Sequence, residues 1–321
     1  MDFSLFAVLA VAVSSCLIPH TDAPRMVEPV YHVAVVDRFY PGDDFYANEE
    51  ERNQQVNLHG LVDLDRDHLR EPLYHGEIVS IFASHPAIEI HPYEMREGEH
   101  PQKEILRQLR NIRKHVFWGE PIDALILSWE SSTLVSAFEK PLRRENVGKY
   151  VESVRQWGHD SDIWQLSFET IRILEDIAEY GVKVFTIAGN GGRGMVNTYS
   201  FAKGITTVGA REAELKHFVS DNVFVDMRSP AAHQPKLIRN SEGLPKGYDF
   251  DGDACIDVPI DCLSGYQHGR LNYPERLWPL LKGSSFAAPV AMKVALLDHL
   301  ATNKQAYELP LPYQCQGYES P

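Results

Sequence analysis

The sequence has little positive charge. Its 31 lysine and arginine residues are outnumbered by 45 aspartate and glutamate residues, which gives a formal net charge of −14 over 321 residues. A protein with this charge repels the phosphate backbone of nucleic acids. We therefore expect no nucleic-acid partner.

Long hydrophobic runs are also scarce. The one that stands out, residues 3–13, is too short to span a bilayer comfortably and is followed by small residues and then polar sequence. The 21 glycines and 20 prolines follow no repeat, so neither a solenoid nor a multi-span membrane protein fits. The overall composition, 44% hydrophobic and 24% charged, is typical of an ordinary globular chain.

The N-terminal segment predicts export, because residues 1–23 read as a secretory signal. One alternative is ordinary cleavage after Ala23. The other is acylation of Cys16, since Val13 to Cys16 resembles a bacterial lipobox. We therefore expect a periplasmic, secreted or lipid-anchored protein, with the lipid as its only contact with a membrane. A third alternative is a helix buried inside the protein. Such a helix would need apolar contacts on every side, because the segment has no amphipathic stripe.

Cysteine is rare, and the four that occur suit an oxidising compartment without requiring one. If Cys16 is removed or acylated, Cys255, Cys262 and Cys315 remain. Cys255 and Cys262 could close a short loop, but three thiols cannot all pair, so the pairing stays open. No CxxC occurs and the nearest histidine, His268, lies six residues past Cys262, so the cysteines predict no metal site.

Apolar strands and amphipathic helices alternate along the chain. Strands are predicted at 31–36, 88–90, 122–127, 182–187 and 204–209, and helices from 75, over 101–116, 161–181 and 290–300. This alternation predicts an α/β fold in three layers, with a mostly parallel sheet and helices on both faces. In such folds functional residues lie at the C-terminal ends of strands and at the helix N-termini beside them.

A serine among small residues opens the last predicted helix. Residues 283–289 read Gly-Ser-Ser-Phe-Ala-Ala-Pro. The hydroxyl of Ser285 would be accessible there, beside a backbone N–H directed at a developing oxyanion. The alternative is a serine that only caps the helix. A nucleophilic serine needs a base, and the base needs an acid to orient it, so a histidine and a carboxylate are required.

His75 and Asp37 are the best candidates for these two roles. Asp37 ends the first predicted strand, and His75 begins a helix with a glycine beside it. The sequence contains 14 histidines, and two others, His59 and His268, are also followed by a glycine. We prefer His75 because an apolar helical pattern follows it, whereas His59 leads into an acidic stretch.

Asn190 is a fourth candidate. It lies between two glycines after a buried strand, in the segment Ala-Gly-Asn-Gly-Gly at 188–192. It is either a turn residue with positive φ or a side-chain donor for an oxyanion, and no local feature decides between these alternatives.

In chain order, Asp37, His75, Asn190 and Ser285 resemble the functional residues of the subtilisin-like serine proteases, the subtilases. The motifs that carry the resemblance are Ala-Val-Val-Asp at 34–37, His-Gly at 75–76, Ala-Gly-Asn at 188–190 and the serine block at 283–289. The resemblance covers about residues 30 to 300. It implies a subtilisin-like catalytic domain over residues 24–305, followed by an extended tail over 306–321.

The resemblance also implies an activity, which is serine endopeptidase action on protein or peptide substrates without a cofactor. Ser285 would attack the scissile carbonyl, His75 would shuttle the proton and Asp37 would orient His75. Asn190 and the Ser285 backbone N–H would stabilise the oxyanion. The implied substrate-binding residues are Ser128, Trp129, Glu130 and Gly189. The alternative function is an inactive protein of this fold that binds peptides or protein partners.

Among several departures from the family pattern, two have the largest consequences. Glu130 stands where subtilases have a glycine that lines the primary specificity pocket. Its side chain would narrow the pocket, offer a carboxylate to a basic substrate residue, or point to solvent; we expect a restricted specificity. In addition, almost no sequence separates the predicted signal from Tyr31, so we expect no folding pro-domain there.

Acidic residues recur in two runs, and subtilases often bind calcium. Neither run has the glycine at position six and the glutamate at position twelve of an EF-hand loop. We therefore expect solvated acidic loops and no metal. The runs comprise Asp63, Asp65 and Asp67, and Asp249, Asp251, Asp253 and Asp257.

Overall fold

The computed structural model describes residues 31–39, 74–96, 98–259, 266–267, 270–271 and 280–302. Several sequence predictions therefore lie outside the described residues. They concern the signal at 1–23, Cys16, His59, the run Asp63 to Asp67, Cys262, His268, Cys315 and the tail at 306–321.

The described chain contains fifteen strands and five α-helices. In chain order the strands are β1 (Tyr31–Asp37), β2 (Ile88–Glu94), β3 (Ala124–Leu127), β4 (Ser132–Leu134), β5 (Lys183–Ile187), β6 (Met195–Asn197), β7 (Thr206–Ala210), β8 (Met227–Ser229), β9 (Ala232–His233), β10 (Lys236–Arg239), β11 (Pro245–Asp249), β12 (Val258–Pro259), β13 (Tyr266–Gln267), β14 (Arg270–Leu271) and β15 (Leu281–Lys282). The helices are α1 (His75–Ala83), α2 (Pro101–Phe117), α3 (Val147–Trp157), α4 (Asp162–Glu179) and α5 (Ser284–Thr302).

Six strands form a central sheet in the order β2-β1-β3-β5-β7-β8. Every neighbouring pair in this sheet is parallel. Parallel neighbours need crossover connections, and helices supply most of them here. The C-terminal ends of all six strands consequently meet at one edge of the sheet.

The side chains of the central strands pack alternately into two cores. In β1, Ala34 and Val36 belong to one core and Val33 and Val35 to the other, because successive side chains of a strand point to opposite faces. Helices α2, α3 and α4 cover the first face, and α1 and α5 cover the second. The predicted fold class, a three-layer α/β fold with a mostly parallel sheet and helices on both faces, is confirmed.

The sequence analysis predicted no helix at the position of α3, between the strand predicted at 122–127 and the helix predicted at 161–181. Tyr150 and Val154 of this helix are buried in the first core. Together with Val147 and Val151, which pack against the same core, they recur at helical spacing. The apolar stripe is short and charged residues lie between its members, so its helical periodicity was not recognised in the sequence.

The second acidic run differs from the solvated loop that we expected. Asp249 is buried, and its two carboxylate oxygens accept backbone N–H groups of Gly252 at 2.6 Å and Ala254 at 3.1 Å. Asp251 pairs with Lys293 Nζ at 3.1 Å. These carboxylates therefore hold their own loop in place, and Lys293 supplies a positive charge beside them.

Asp257 lies beside the same carboxylates, and its Oδ2 accepts the backbone N–H of Phe250 at 2.6 Å. Burial and the neighbouring aspartates raise the pKa of Asp257 to about 7, although the Phe250 N–H acts in the opposite direction. Cys255 of this loop is in a disulfide whose partner lies outside the described residues.

Within the part of the chain that the structure describes, no helix is both long enough and apolar enough to cross a membrane.

Candidate active site

Asp37 and His75 meet at the C-terminal edge of the sheet. Asp37 is the last residue of β1 and His75 is the first residue of α1. His75 Nδ1 lies 2.8 Å from Asp37 Oδ2. Asp37 is fully buried, whereas 15% of the His75 side chain is exposed. The acid is thus shielded from water, and the second ring nitrogen of His75 makes no hydrogen bond to the described residues.

Two further donors fix the orientation of the Asp37 carboxylate. Its Oδ1 accepts the backbone N–H of Arg38 at 2.8 Å and the indole N–H of Trp129 at 3.1 Å. Because Oδ1 is satisfied by these donors, Oδ2 is directed at His75. Sequence reasoning assigned Trp129 to substrate binding, and this hydrogen bond to the acid is an additional contact.

Gly76 allows α1 to approach the end of β1 closely. Its backbone N–H donates to the carbonyl oxygen of Arg38 at 2.9 Å. A Cβ at position 76 would lie 2.6 Å from that oxygen and 3.0 Å from the ring of Phe39. A side chain at position 76 would therefore clash with the end of β1, and this steric requirement explains why a glycine follows His75.

The surroundings of His75 act on its pKa in opposite directions. Burial lowers the pKa of the imidazole, whereas the charge of Asp37, its hydrogen bond and the charge of Glu77 raise it. The net effect is a pKa above the ordinary value of histidine. Glu77 is held nearby because its carboxylate accepts the backbone N–H of Tyr74 at 2.8 Å.

Ser285 lies in the first turn of α5, where backbone N–H groups lack partners within the helix. Its hydroxyl donates to the carbonyl oxygen of Ser128 at 3.3 Å, and the Ser128 hydroxyl donates to the Ser285 carbonyl oxygen at 3.1 Å. The next residue, Phe286, places its ring centroid 5.7 Å from that of His75. The first turn of α5 thus contacts His75 through Phe286, whereas the Ser285 hydroxyl is bonded to Ser128 and not to the imidazole.

The segment after β3 connects the serine to the acid. Ser128 contacts Ser285, and the next residue, Trp129, contacts Asp37. A serine side chain has three staggered positions about χ1, and catalytic hydrogen bonds often tighten only when substrate is bound.

Asn190 is anchored to the start of α5. Its Oδ1 accepts both the backbone N–H of Ser284 at 2.9 Å and the Ser284 hydroxyl at 3.0 Å. A backbone N–H can only donate, so the accepting atom is Oδ1 and the amide orientation is fixed. The Nδ2 group makes no hydrogen bond to the described residues. Positive φ belongs to the neighbouring Gly189 and not to Asn190, so Asn190 is not the positive-φ turn residue that was the alternative.

Glu130 turns inward, not to solvent. Its carboxylate accepts the backbone N–H of Asn190 at 3.0 and 3.2 Å and the hydroxyl of Ser132. A Cβ at Gly189 would collide with this carboxylate. Glu130 therefore fills the space over Gly189 and links the segment after β3 to the segment after β5.

Sequence reasoning missed two groups of supporting residues. Ser284 anchors Asn190, and its place in the Gly-Ser-Ser block could have indicated it. The other group is a buried network in which Gln102 Nε2 donates to Ser131 at 3.1 Å and to Ser167 at 3.3 Å, while the two hydroxyls lie 2.7 Å apart. No local pattern marks this network, because its members come from three separate elements.

Two groups of side chains among the described residues could hold a metal ion, and neither includes a candidate catalytic residue. They are His32, Glu89 and His91, and Asp249, Asp251 and Asp257.

No protein-family model matches the chain, and no curated protein matches it. Solved structures of proteases are similar at low sequence identity. A lanthipeptide protease is 17% identical, with 89% of this chain and 77% of that chain covered and a TM-score of 0.45. The prenylagaramide maturation protease PagA is 16% identical, with 87% and 79% covered and a TM-score of 0.43. The self-cleaved protease domain of PatA is 13% identical, with 85% and 82% covered and a TM-score of 0.43.

TM-scores this low support no functional conclusion. The fold class depends on the sheet order and its two helical layers, and the function proposed below depends on the side chains of the site.

We predict that Gly76→Ala lowers the free energy of unfolding by about 1–3 kcal/mol, because the added methyl group must displace α1 from the Arg38 carbonyl. Denaturant unfolding measures this change. The matched control is Gly148→Ala in α3, where a Cβ meets no atom within 4 Å. That substitution should be neutral or stabilising by up to about 1 kcal/mol. Equal destabilisation by both variants would contradict the close-approach explanation.

We also predict that the imidazole of His75 titrates with a pKa above the ordinary value of about 6.5. An NMR titration measures it, with the His75→Gln variant identifying the signal. Glu77→Gln should lower the midpoint because it removes a negative charge that acts on His75, whereas Glu145→Gln at an exposed position should not. A midpoint at or below 6.5 in the unaltered protein would refute the prediction.

Proposed function

We propose that the protein is an exported serine endopeptidase of the subtilisin type, with Asp37, His75 and Ser285 as its catalytic triad. The observation that carries the proposal is the 2.8 Å contact between buried Asp37 and His75, formed at the sheet edge where α5 begins and presents Ser285 in its first turn. Export, by a signal over residues 1–23, belongs to the same proposal. The proposal includes both ways of processing this signal, cleavage after Ala23 and lipidation of Cys16.

The proposed reaction begins with transfer of the Ser285 proton to the free ring nitrogen of His75. For this step the hydroxyl must leave the Ser128 carbonyl and turn to the imidazole. Ser285 Oγ then attacks the peptide carbonyl, and the resulting imidazolium is balanced by Asp37. His75 passes the proton to the leaving amine, and water hydrolyses the acyl-enzyme by the reverse sequence.

The developing oxyanion would be stabilised by two donors. One is the Nδ2 group of Asn190, which is left available because Oδ1 is held by Ser284. The other is the backbone N–H of Ser285 in the first turn of α5. Donors that are fixed before the reaction stabilise a developing charge without reorganisation.

A catalytically inactive protein that binds peptides or protein partners in the same cleft is the alternative. The observation that favours it is the Ser285 hydroxyl, which bonds to the Ser128 carbonyl and not to His75. The two functions differ in the reactivity of this hydroxyl, because only an activated serine reacts with a fluorophosphonate.

We predict that a fluorophosphonate probe labels the purified protein at Ser285. Labelling should be lost in Ser285→Ala and retained in Ser84→Ala, which removes an exposed hydroxyl at the end of α1.

On a peptide substrate, Ser285→Ala or His75→Ala should lower kcat by up to about a millionfold and Asp37→Ala by roughly ten-thousandfold. Asn190→Ala should lower it by about a hundred to a thousandfold.

Absence of labelling in the folded, unaltered protein would favour the binding function instead. If Asn190→Ala had no effect while activity persisted, the assignment of Asn190 as an oxyanion donor would be wrong.

We predict that Glu130 restricts the primary specificity of the enzyme. Glu130→Gly removes the side chain that covers Gly189, so it should raise kcat/KM for bulky apolar residues by about tenfold or more. Glu130→Gln keeps the size and removes the charge, so it separates steric exclusion from attraction of basic residues. Peptide-library profiling of the three proteins measures both effects. A broad profile in the unaltered protein, unchanged in Glu130→Gly, would refute the role.

A further inference from the structure

A second group of side chains that can bind a metal lies on the central sheet, apart from the candidate active site. His32 lies near the N-terminal end of β1, and Glu89 and His91 lie on β2, the edge strand. His32 and Asp37 are five positions apart on the strand, which corresponds to roughly 16 Å. The group is therefore near the opposite end of β1 from the proposed chemistry.

The strand register places the three side chains on one face. His32 is opposite Glu89, and Ala34 is opposite His91. Side chains two residues apart on a strand point to the same side, so all three side chains share that side. His32 and His91 are 59 positions apart in the chain, which explains why sequence spacing gave no indication of a metal site.

The ligand atoms are separated as a small tetrahedral ion requires, and each imidazole has one oxygen of the Glu89 carboxylate near it. His32 Nδ1 lies 3.0 Å from His91 Nε2 and 3.4 Å from Glu89 Oε2, and His91 Nε2 lies 3.8 Å from Glu89 Oε1. Around zinc, with metal–nitrogen bonds near 2.0 Å, neighbouring ligand atoms are roughly 3.3 Å apart. The observed separations between ligand atoms, from 3.0 to 3.8 Å, lie on both sides of this value.

The backbone holds the group in place before any ion binds. The His32 N–H donates to the Asp123 carboxylate at 2.7 Å, and the Asp123 N–H donates to the His32 carbonyl at 2.8 Å. The ligand side chains are 24%, 47% and 37% exposed for His32, Glu89 and His91. An ion can therefore enter from solvent, and a water molecule can complete its coordination.

We propose that His32, Glu89 and His91 bind a divalent transition-metal ion, with Zn²⁺ as the best fit. Two imidazoles and one carboxylate are a zinc ligand set, whereas Ca²⁺ and Mg²⁺ select oxygen ligands. The ion joins the edge strand β2 to β1, so its effect is on stability and not on peptide hydrolysis.

The test is isothermal titration of Zn²⁺ into the full-length protein, purified without a histidine tag and treated with a chelator. We expect one site that is lost or weakened by about a hundredfold or more in His91→Ala and in Glu89→Gln. Exposed His159→Ala is the matched control and should bind as the unaltered protein does. Zinc should also raise the melting temperature of the unaltered protein, and Ca²⁺ or Mg²⁺ should not replace it.

Substitution by Co²⁺ gives an independent signature, because a tetrahedral site produces strong visible absorption that His91→Ala should lose. The melting temperature of each variant in chelator shows whether it is folded. Equal zinc affinity in the unaltered protein and His91→Ala, or no binding to either, would overturn the proposal. Ser285→Ala should bind zinc normally, so this result and the result for peptidase activity are distinguishable.

Discussion

The candidate site depends on one buried carboxylate. A charge removed from water is costly unless donors surround it, and Asp37 has three: the Arg38 N–H, the Trp129 indole and His75. Each donor requires a particular local structure. The Arg38 N–H needs the end of β1, the indole needs the segment after β3, and His75 needs the close approach of α1 that Gly76 allows.

The parallel sheet makes this convergence possible. Because all six strands end at the same edge, the segments that follow β1, β3 and β5 lie side by side there. Hydrogen bonds then join them laterally: Trp129 to Asp37, and Glu130 to the backbone of Asn190. Helix α5 contributes from the second face, where Ser284 fixes Asn190 and Ser128 contacts Ser285.

Features with a local periodic signal were predictable from the sequence, and features set by distant partners were not. The apolar run before Asp37 predicted strand β1, and the helical pattern after His75 predicted helix α1. The inward turn of Glu130 depends on Asn190, 60 positions away, and the Ser285 hydroxyl bonds to Ser128, 157 positions away. No residue pattern encodes such pairings. The burial of Asp249 escaped prediction for a different reason. Its partners are backbone N–H groups of its own loop, and every residue type except proline carries such a group, so no residue pattern marks them.

Strand β1 and helix α5 stand at opposite ends of the described chain, yet the proposed site needs both. In the proposed enzyme, a polypeptide still emerging from the ribosome therefore contains Asp37 and His75 long before it contains Ser285. The unfinished protein cannot cut its neighbours or itself by this route. Under the proposed function, the order of the elements along the chain delays peptide hydrolysis until the last helix has been synthesised.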